Sequence, residues 1–168
     1  MAIDSEDLPE ESAQLPLRLF VYGTLKRGYR NQHFCTRACD VQPAAVWGRL
    51  YHFEAGYPGL ELAEQLILGR GSADPLADTR RQHEVRELSF VEPAGDWDLI
   101  QGELVSFSDP LRDLPPIDQL ERFRPDEDNC FYYRVMVPVS CGGSIVAAWA
   151  YRMTEFEEGE RIGQEWNG

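Results

Sequence analysis

The sequence predicts an α+β domain built on an antiparallel or mixed sheet, with closure into a barrel as one form that sheet can take. Three observations carry this. Short strand-like runs recur from Leu17 to Met153, one clear helical segment lies between two of them, and a Cys-Gly-Gly turn joins the last two as a hairpin. At 168 residues the chain has the length of one domain with a single sizeable core.

Leu17–Tyr22 is apolar at nearly every position, as expected of a short strand covered on both faces. Asn31–Cys39 reads as a helical turn, and Ala44–Phe53 as a strand that Gly48 bends. "GYPGL" at 56–60 carries the Gly and Pro punctuation of a turn. The polar stretch Ser72–Gln82 ("SADPLADTRRQ") is expected as an exposed excursion, carried by hairpin strands at Leu62–Leu68 and Val85–Val91. Core strands resume at Leu99–Phe107. Asp109 and Pro110 form an N-cap and N1 pair, after which Pro115-Pro116 is expected to end a first turn. A new helix then places Ile117, Leu120 and Phe123 at helical spacing.

Phe131–Val139 alternates, with Phe131, Tyr133, Val135, Val137 and Val139 on one face and Tyr132, Arg134, Met136 and Pro138 on the other. Pro138 cannot donate to a ladder, so the strand is expected to end there or to lie at an edge. Ser144–Met153 completes the hairpin.

Sixteen basic residues against twenty-nine acidic ones give a net charge of −13, which argues against a nucleic-acid partner. The segments 1–16 and 154–168 carry −9 of it, and they read as acidic, solvated tails (1–16 and 153–168) around a single domain at 17–152. No apolar run is long enough to span a bilayer and the N-terminus has no secretory pattern, so a cytoplasmic protein without membrane partners is expected. Cys35, Cys39, Cys130 and Cys141 form no C-x-x-C pair and are expected as free, buried thiols.

The chemistry narrows by elimination. Gly23 and Gly28 have phosphate-loop separation, but Tyr29-Arg30 stands where Lys-Ser/Thr is required, and Lys26 falls inside the loop. His33, His52 and His83 have no metal-ligand spacing, and no G-x-S-x-G occurs. What remains is a glycine turn after a buried strand, and a carboxylate at the edge of an apolar helix stripe. Glu121 follows Leu120 and lies four residues after Ile117. Partly desolvated there, it would be a base near neutral pH; turned outward, it would be a surface Glu paired with Arg122 or Arg124.

The ordered set "FVYGTLKRG", Asn31, "GRLY", "GYPGL", "QGELVSF", "IDQLERF", "YYRVMV" and "AWAYR" resembles gamma-glutamylcyclotransferase-like proteins, in particular their bacterial gamma-glutamylamine cyclotransferase-like branch. The resemblance covers residues 17–60 and 98–152, which marks 61–97 as an insertion. It implies a small mixed, mainly antiparallel β-barrel with flanking helices and a pocket at one end. It also implies cyclisation of a small-molecule gamma-glutamyl substrate to 5-oxoproline, with release of an amine or amino acid and without metal or cofactor. Tyr22, Gly23, Thr24, Leu25, Asn31 and Tyr132 correspond to substrate-binding positions and Glu121 to the acid/base. Arg122 stands where many members carry Gly. The alternative expectation is a small-molecule-binding module on the same fold without turnover.

Overall fold

A computed structural model describes residues 15–168 of the chain, and the expected acidic N-terminal tail lies almost wholly outside that range. In chain order the strands are β1 (Leu17–Val21), β2 (Asp40–Phe53), β3 (Tyr57–Glu61), β4 (Gly69–Arg70), β5 (Asp98–Phe107), β6 (Tyr133–Cys141), β7 (Ser144–Arg152) and β8 (Glu160–Arg161). Two α-helices, α1 (Pro75–Glu84) and α2 (Pro110–Leu120), and short 3-10 turns at Gln32–Cys35 and Glu64–Leu66 complete them.

The strand order β3-β2-β5-β1-β7-β6-β4 closes on itself through Ala45 of β2 against Ser140 of β6, so β2, β5, β1, β7 and β6 form a five-stranded barrel. Among the described residues only β1 and β7 run parallel, with Leu19 opposite Trp149; the other pairings are antiparallel. Alternation sorts the side chains into two cores. Phe20, Val46, Ile100, Leu104, Val135, Val137, Val139, Ala148 and Ala150, drawn from all five barrel strands, fill the interior. Leu17, Leu19, Val21, Phe107, Met136 and Trp149 point outward and are covered by Leu114 and Ile117 of α2.

β2 is longer than its apolar pattern suggests. It pairs with β5 from Asp40 to Gly48 and with β3 from Arg49 to Phe53. Gly48 sits at the hand-over, where a Cβ would come within 2.8 Å of Leu60 and 2.9 Å of the Glu61 carbonyl oxygen. "GYPGL" is therefore mostly strand rather than turn: Pro58, Gly59 and Leu60 are paired with β2.

The segment 61–97 departs most from expectation. No hairpin forms; α1 occupies Pro75–Glu84, capped by Asp74, whose carboxylate accepts from the N–H groups of Leu76 and Ala77 at 3.1 Å. Apolar periodicity missed this helix because its buried residues are Asp78, Thr79 and Gln82. Gln82 accepts from the Arg18 N–H at 2.8 Å and so ties α1 to β1. α2 in turn runs unbroken through Pro115 and Pro116, with Leu114 and Ile117 fully buried on either side of them. The Asp109 side chain makes no capping hydrogen bond.

Pro138 lies inside β6, not at its end. The carbonyls of Arg134 and Met136 accept from Gly71 and Leu68 on the β4 side, so the missing N–H of Pro138 faces that side too. It falls in the gap after β4 ends opposite Met136 and before β2 meets Ser140.

The C-terminal segment is not a solvated tail throughout. Ile162 N–H bonds to the Leu50 carbonyl, Trp166 is buried against the interior cluster, and its indole N–H meets His52 Nδ1 at 3.0 Å. Lys26 is buried and donates to the Trp166 carbonyl at 2.8 Å. The four cysteines are free, but Cys39 is exposed and the other three only half-buried. Among the described residues no helix is long and apolar enough to cross a membrane.

Candidate functional site

Where β1 leaves the barrel, the chain folds back on itself between Gly23 and Asn31. The Lys26 N–H bonds to the Gly23 carbonyl, and Asn31 closes the loop twice, from its N–H to the Thr24 carbonyl and from Nδ2 to Thr24 Oγ1, both at 2.9 Å. Glu103 of β5 fixes the far side by accepting from Arg27 N and Nε, each at 2.8 Å. These bonds leave three consecutive donors over. Among the described residues, the N–H groups of Gly23, Thr24 and Leu25 have no protein acceptor. Such donors demand a partner, either water or a ligand with negative charge.

Gly23 is required here by a close approach rather than by an unusual φ. A Cβ at that position would lie 2.4 Å from Pro58 Cγ. Gly23→Ala is expected to push the loop off β3 and to destabilise the protein by about 1–3 kcal/mol in urea denaturation.

The opposite wall comes from the end of α2. Glu121 is the C-cap; Phe123 N–H bonds to the Asp118 carbonyl and Arg122 N–H to the Gln119 carbonyl, a Schellman closure. The closure holds Arg122 at φ +56°, in the left-handed region. An L-residue there costs about 1–2 kcal/mol. Arg122→Gly is therefore expected to raise stability by about 1 kcal/mol, visible as a higher urea midpoint at unchanged slope.

Between loop and helix end lies a cavity of about 410 Å³. Its wall includes Tyr22, Gly23, Thr24, Leu25, Asn31, Glu121 and Tyr132, so all seven residues singled out in the sequence face one space. The Glu121 carboxylate makes no hydrogen bond or ion pair among the described residues. Burial, and secondarily the Asp118 carboxylate one turn away, push its pKa from 4.5 up to about 7. The surface pairing with Arg122 or Arg124 does not occur; Arg124 bonds Glu127 instead.

Two of the aromatic positions are already engaged. The Tyr22 hydroxyl donates to the Tyr151 carbonyl, and the Tyr132 hydroxyl to the Pro58 carbonyl at 2.6 Å. Burial raises both phenols above their ordinary range, so they stay neutral and serve as pins for the loop and for β3. Beneath Glu121, Asp118 accepts from Arg134 at 2.8 and 3.1 Å and from the Tyr151 hydroxyl at 2.5 Å. Arg134, fully buried, also reaches Asp78 of α1 at 3.0 Å. The 61–97 segment thus braces the helix that carries Glu121.

Tyr57, Pro58, Phe131, Arg30 and Arg122 also line the cavity and were not expected there. For the first two, the turn reading of "GYPGL" hid them. The two arginines adjoin the flagged Asn31 and Glu121, but spacing alone does not say which way they point.

The family described as "Gamma-glutamyl cyclotransferase, AIG2-like" matches this chain over residues 19–72 and 73–168. The chain belongs to that family. A curated relative, the gamma-L-glutamyl-butirosin B gamma-glutamyl cyclotransferase of Niallia circulans, is 27% identical over 135 residues, which is 79% of this chain and 64% of the relative. The solved structure of YkqA from Bacillus subtilis is 24% identical with a TM-score of 0.54, covering 90% of this chain and 39% of that one, a likeness of fold. The chain thus spans under two thirds of either protein. Within the AIG2-like fold, the cavity lies where the barrel mouth meets the end of α2.

Proposed function

We propose that this chain cyclises a gamma-glutamyl group to 5-oxoproline and releases an amine or amino acid. One observation carries the reading: a carboxyl with a pKa pushed up to about 7 shares a cavity with three backbone N–H groups, and none of the four has a partner among the described residues. Family membership supports it.

The chemistry follows from the placement. The substrate's α-ammonium is no nucleophile until it loses a proton, and Glu121 in its ionised form takes that proton. The freed amine attacks the γ-carbonyl carbon, forming the ring C–N bond. As the bond to the leaving nitrogen breaks, Glu121 gives that nitrogen the proton it holds. The carboxylate then takes the second proton of the ring nitrogen, left cationic by the attack, and passes it to the departing amine, which leaves as an ammonium, so the site ends as it began. A cavity that holds the chain folded toward its own carbonyl supplies the high effective concentration that ring closure needs. The N–H groups of Gly23, Thr24 and Leu25 take the substrate carboxylate or the oxyanion that develops.

The test is incubation with a panel of gamma-glutamyl amines, amino acids and peptides, with 5-oxoproline followed by mass spectrometry. Release from at least one compound is the expected result. Binding of these compounds without any 5-oxoproline would leave only a binding module and would overturn the proposal.

A further inference from the structure

The cavity has a charge pattern that ring closure itself does not use. Arg30 and Arg122 both line it, come from different elements, and are exposed where it opens to solvent. Neither guanidinium makes an ion pair or hydrogen bond among the described residues, although the chain carries a net charge of −13. Arg30 extends from the closed loop toward the turn before β3, its Nη1 3.6 Å from the point where a Cβ on Gly56 would stand. Arg122 lies with its guanidinium carbon 5.8 Å from the Phe131 ring centroid. Neither cation is directed at Glu121, whose carboxyl feels burial and Asp118 instead. Arg122 also occupies a left-handed position that glycine would fill without strain, and a retained strain at a cavity wall points to a use for the side chain.

We infer that Arg30 and Arg122 form an anion subsite at the cavity mouth for a second carboxylate, one carried by the leaving amine. The preferred substrates are then gamma-glutamyl amino acids or peptides rather than gamma-glutamyl derivatives of neutral alkylamines. This rests on the cyclotransferase reading, in which the loop N–H groups and Glu121 occupy the inner part of the cavity and the leaving group extends outward. Guanidinium–carboxylate contacts are the strong, geometrically selective kind, weakened here by solvent at the rim.

The deciding measurement is the ratio of kcat/KM for gamma-glutamylglycine to that for its neutral isostere, gamma-glutamylglycinamide. It is taken with the wild type and with Arg30→Gln, Arg122→Gly and the double variant. The wild-type ratio is expected at about tenfold or more, and the double variant should bring it close to one. Arg122→Gly relaxes the backbone, so a failure to fold does not cloud the result. A wild-type ratio near one, or a ratio that survives the double substitution, overturns the subsite. Equal losses on both compounds would mean that the arginines hold the α-carboxylate common to all gamma-glutamyl compounds, and would overturn it too. If no gamma-glutamyl compound is turned over by the wild type, the cyclotransferase reading itself fails and the subsite falls with it.

Discussion

Glu121→Gln is expected to lower kcat for 5-oxoproline release by about 10²–10⁴-fold while leaving substrate affinity within a few-fold. Glutamine keeps the shape of the side chain but can neither accept the α-ammonium proton nor return it to the leaving amine. The same substitution should stabilise the fold at alkaline pH. Glu121 has a carboxyl pKa raised from 4.5 to about 7 in the native state. Below pH 4.5 the folded and unfolded chains both hold the proton, and no difference arises. Between the two values the unfolded chain releases it first, so wild-type stability falls as pH rises, by up to about 3 kcal/mol above pH 7. Glutamine carries no such cost. Urea denaturation should therefore show the variant and the wild type close together at pH 4.5, with the variant ahead at pH 8. Loss of activity with gain of stability is the pattern of a group placed for chemistry.

Arg134→Met should have the largest effect on stability, a loss of about 3–5 kcal/mol at neutral pH measured by urea denaturation. Arg134 has no exposed surface and binds Asp118 in a fork, Asp78 through a third contact at 3.0 Å, and the Ser72 carbonyl at 3.1 Å. Methionine fills a similar volume yet leaves Asp78, itself fully buried, with Arg81 and Ser72 as its remaining partners. Asp118 keeps the Tyr151 hydroxyl alone. The penalty is therefore the cost of two under-compensated carboxylates rather than of a lost side-chain contact.

Much of the barrel was legible because its strands carry the signals that burial imposes. β1 is apolar at most positions, β6 alternates, and a Cys-Gly-Gly turn separates β6 from β7. What escaped was structure held by polar groups. α1 buries Asp78, Thr79 and Gln82 against Arg134 and β1, so hydrophobic periodicity gave no sign of it, although Asp74-Pro75 is the same kind of start signal as Asp109-Pro110. The turn signal of "GYPGL" misleads for a related reason: Pro58 and Gly59 serve close packing against Gly23, Phe53 and Met153, not chain reversal. At the site, the residue types and the family pattern picked out Glu121 and the loop. The free donors at Gly23, Thr24 and Leu25 depend on how the folded loop pairs its neighbouring groups, which no local residue pattern encodes. The outward course of Arg30 and Arg122 depends on the Asn31 clasp and the left-handed turn after Glu121, and neither has a local sequence signature.

In the proposed mechanism one carboxyl, Glu121, moves the proton in a ring closure held by the Gly23–Leu25 backbone. The most direct test is the pH dependence of kcat/KM for 5-oxoproline release from the best gamma-glutamyl substrate, measured from pH 5 to 9 with wild type and Glu121→Gln. The expected wild-type profile rises tenfold per pH unit on its acid side and bends near pH 7, where this carboxyl ionises. In the variant both the rate and that bend disappear, while substrate still binds. A variant that retains activity within tenfold, or a bend near pH 7 that persists without Glu121, would rule out Glu121 as the acid/base.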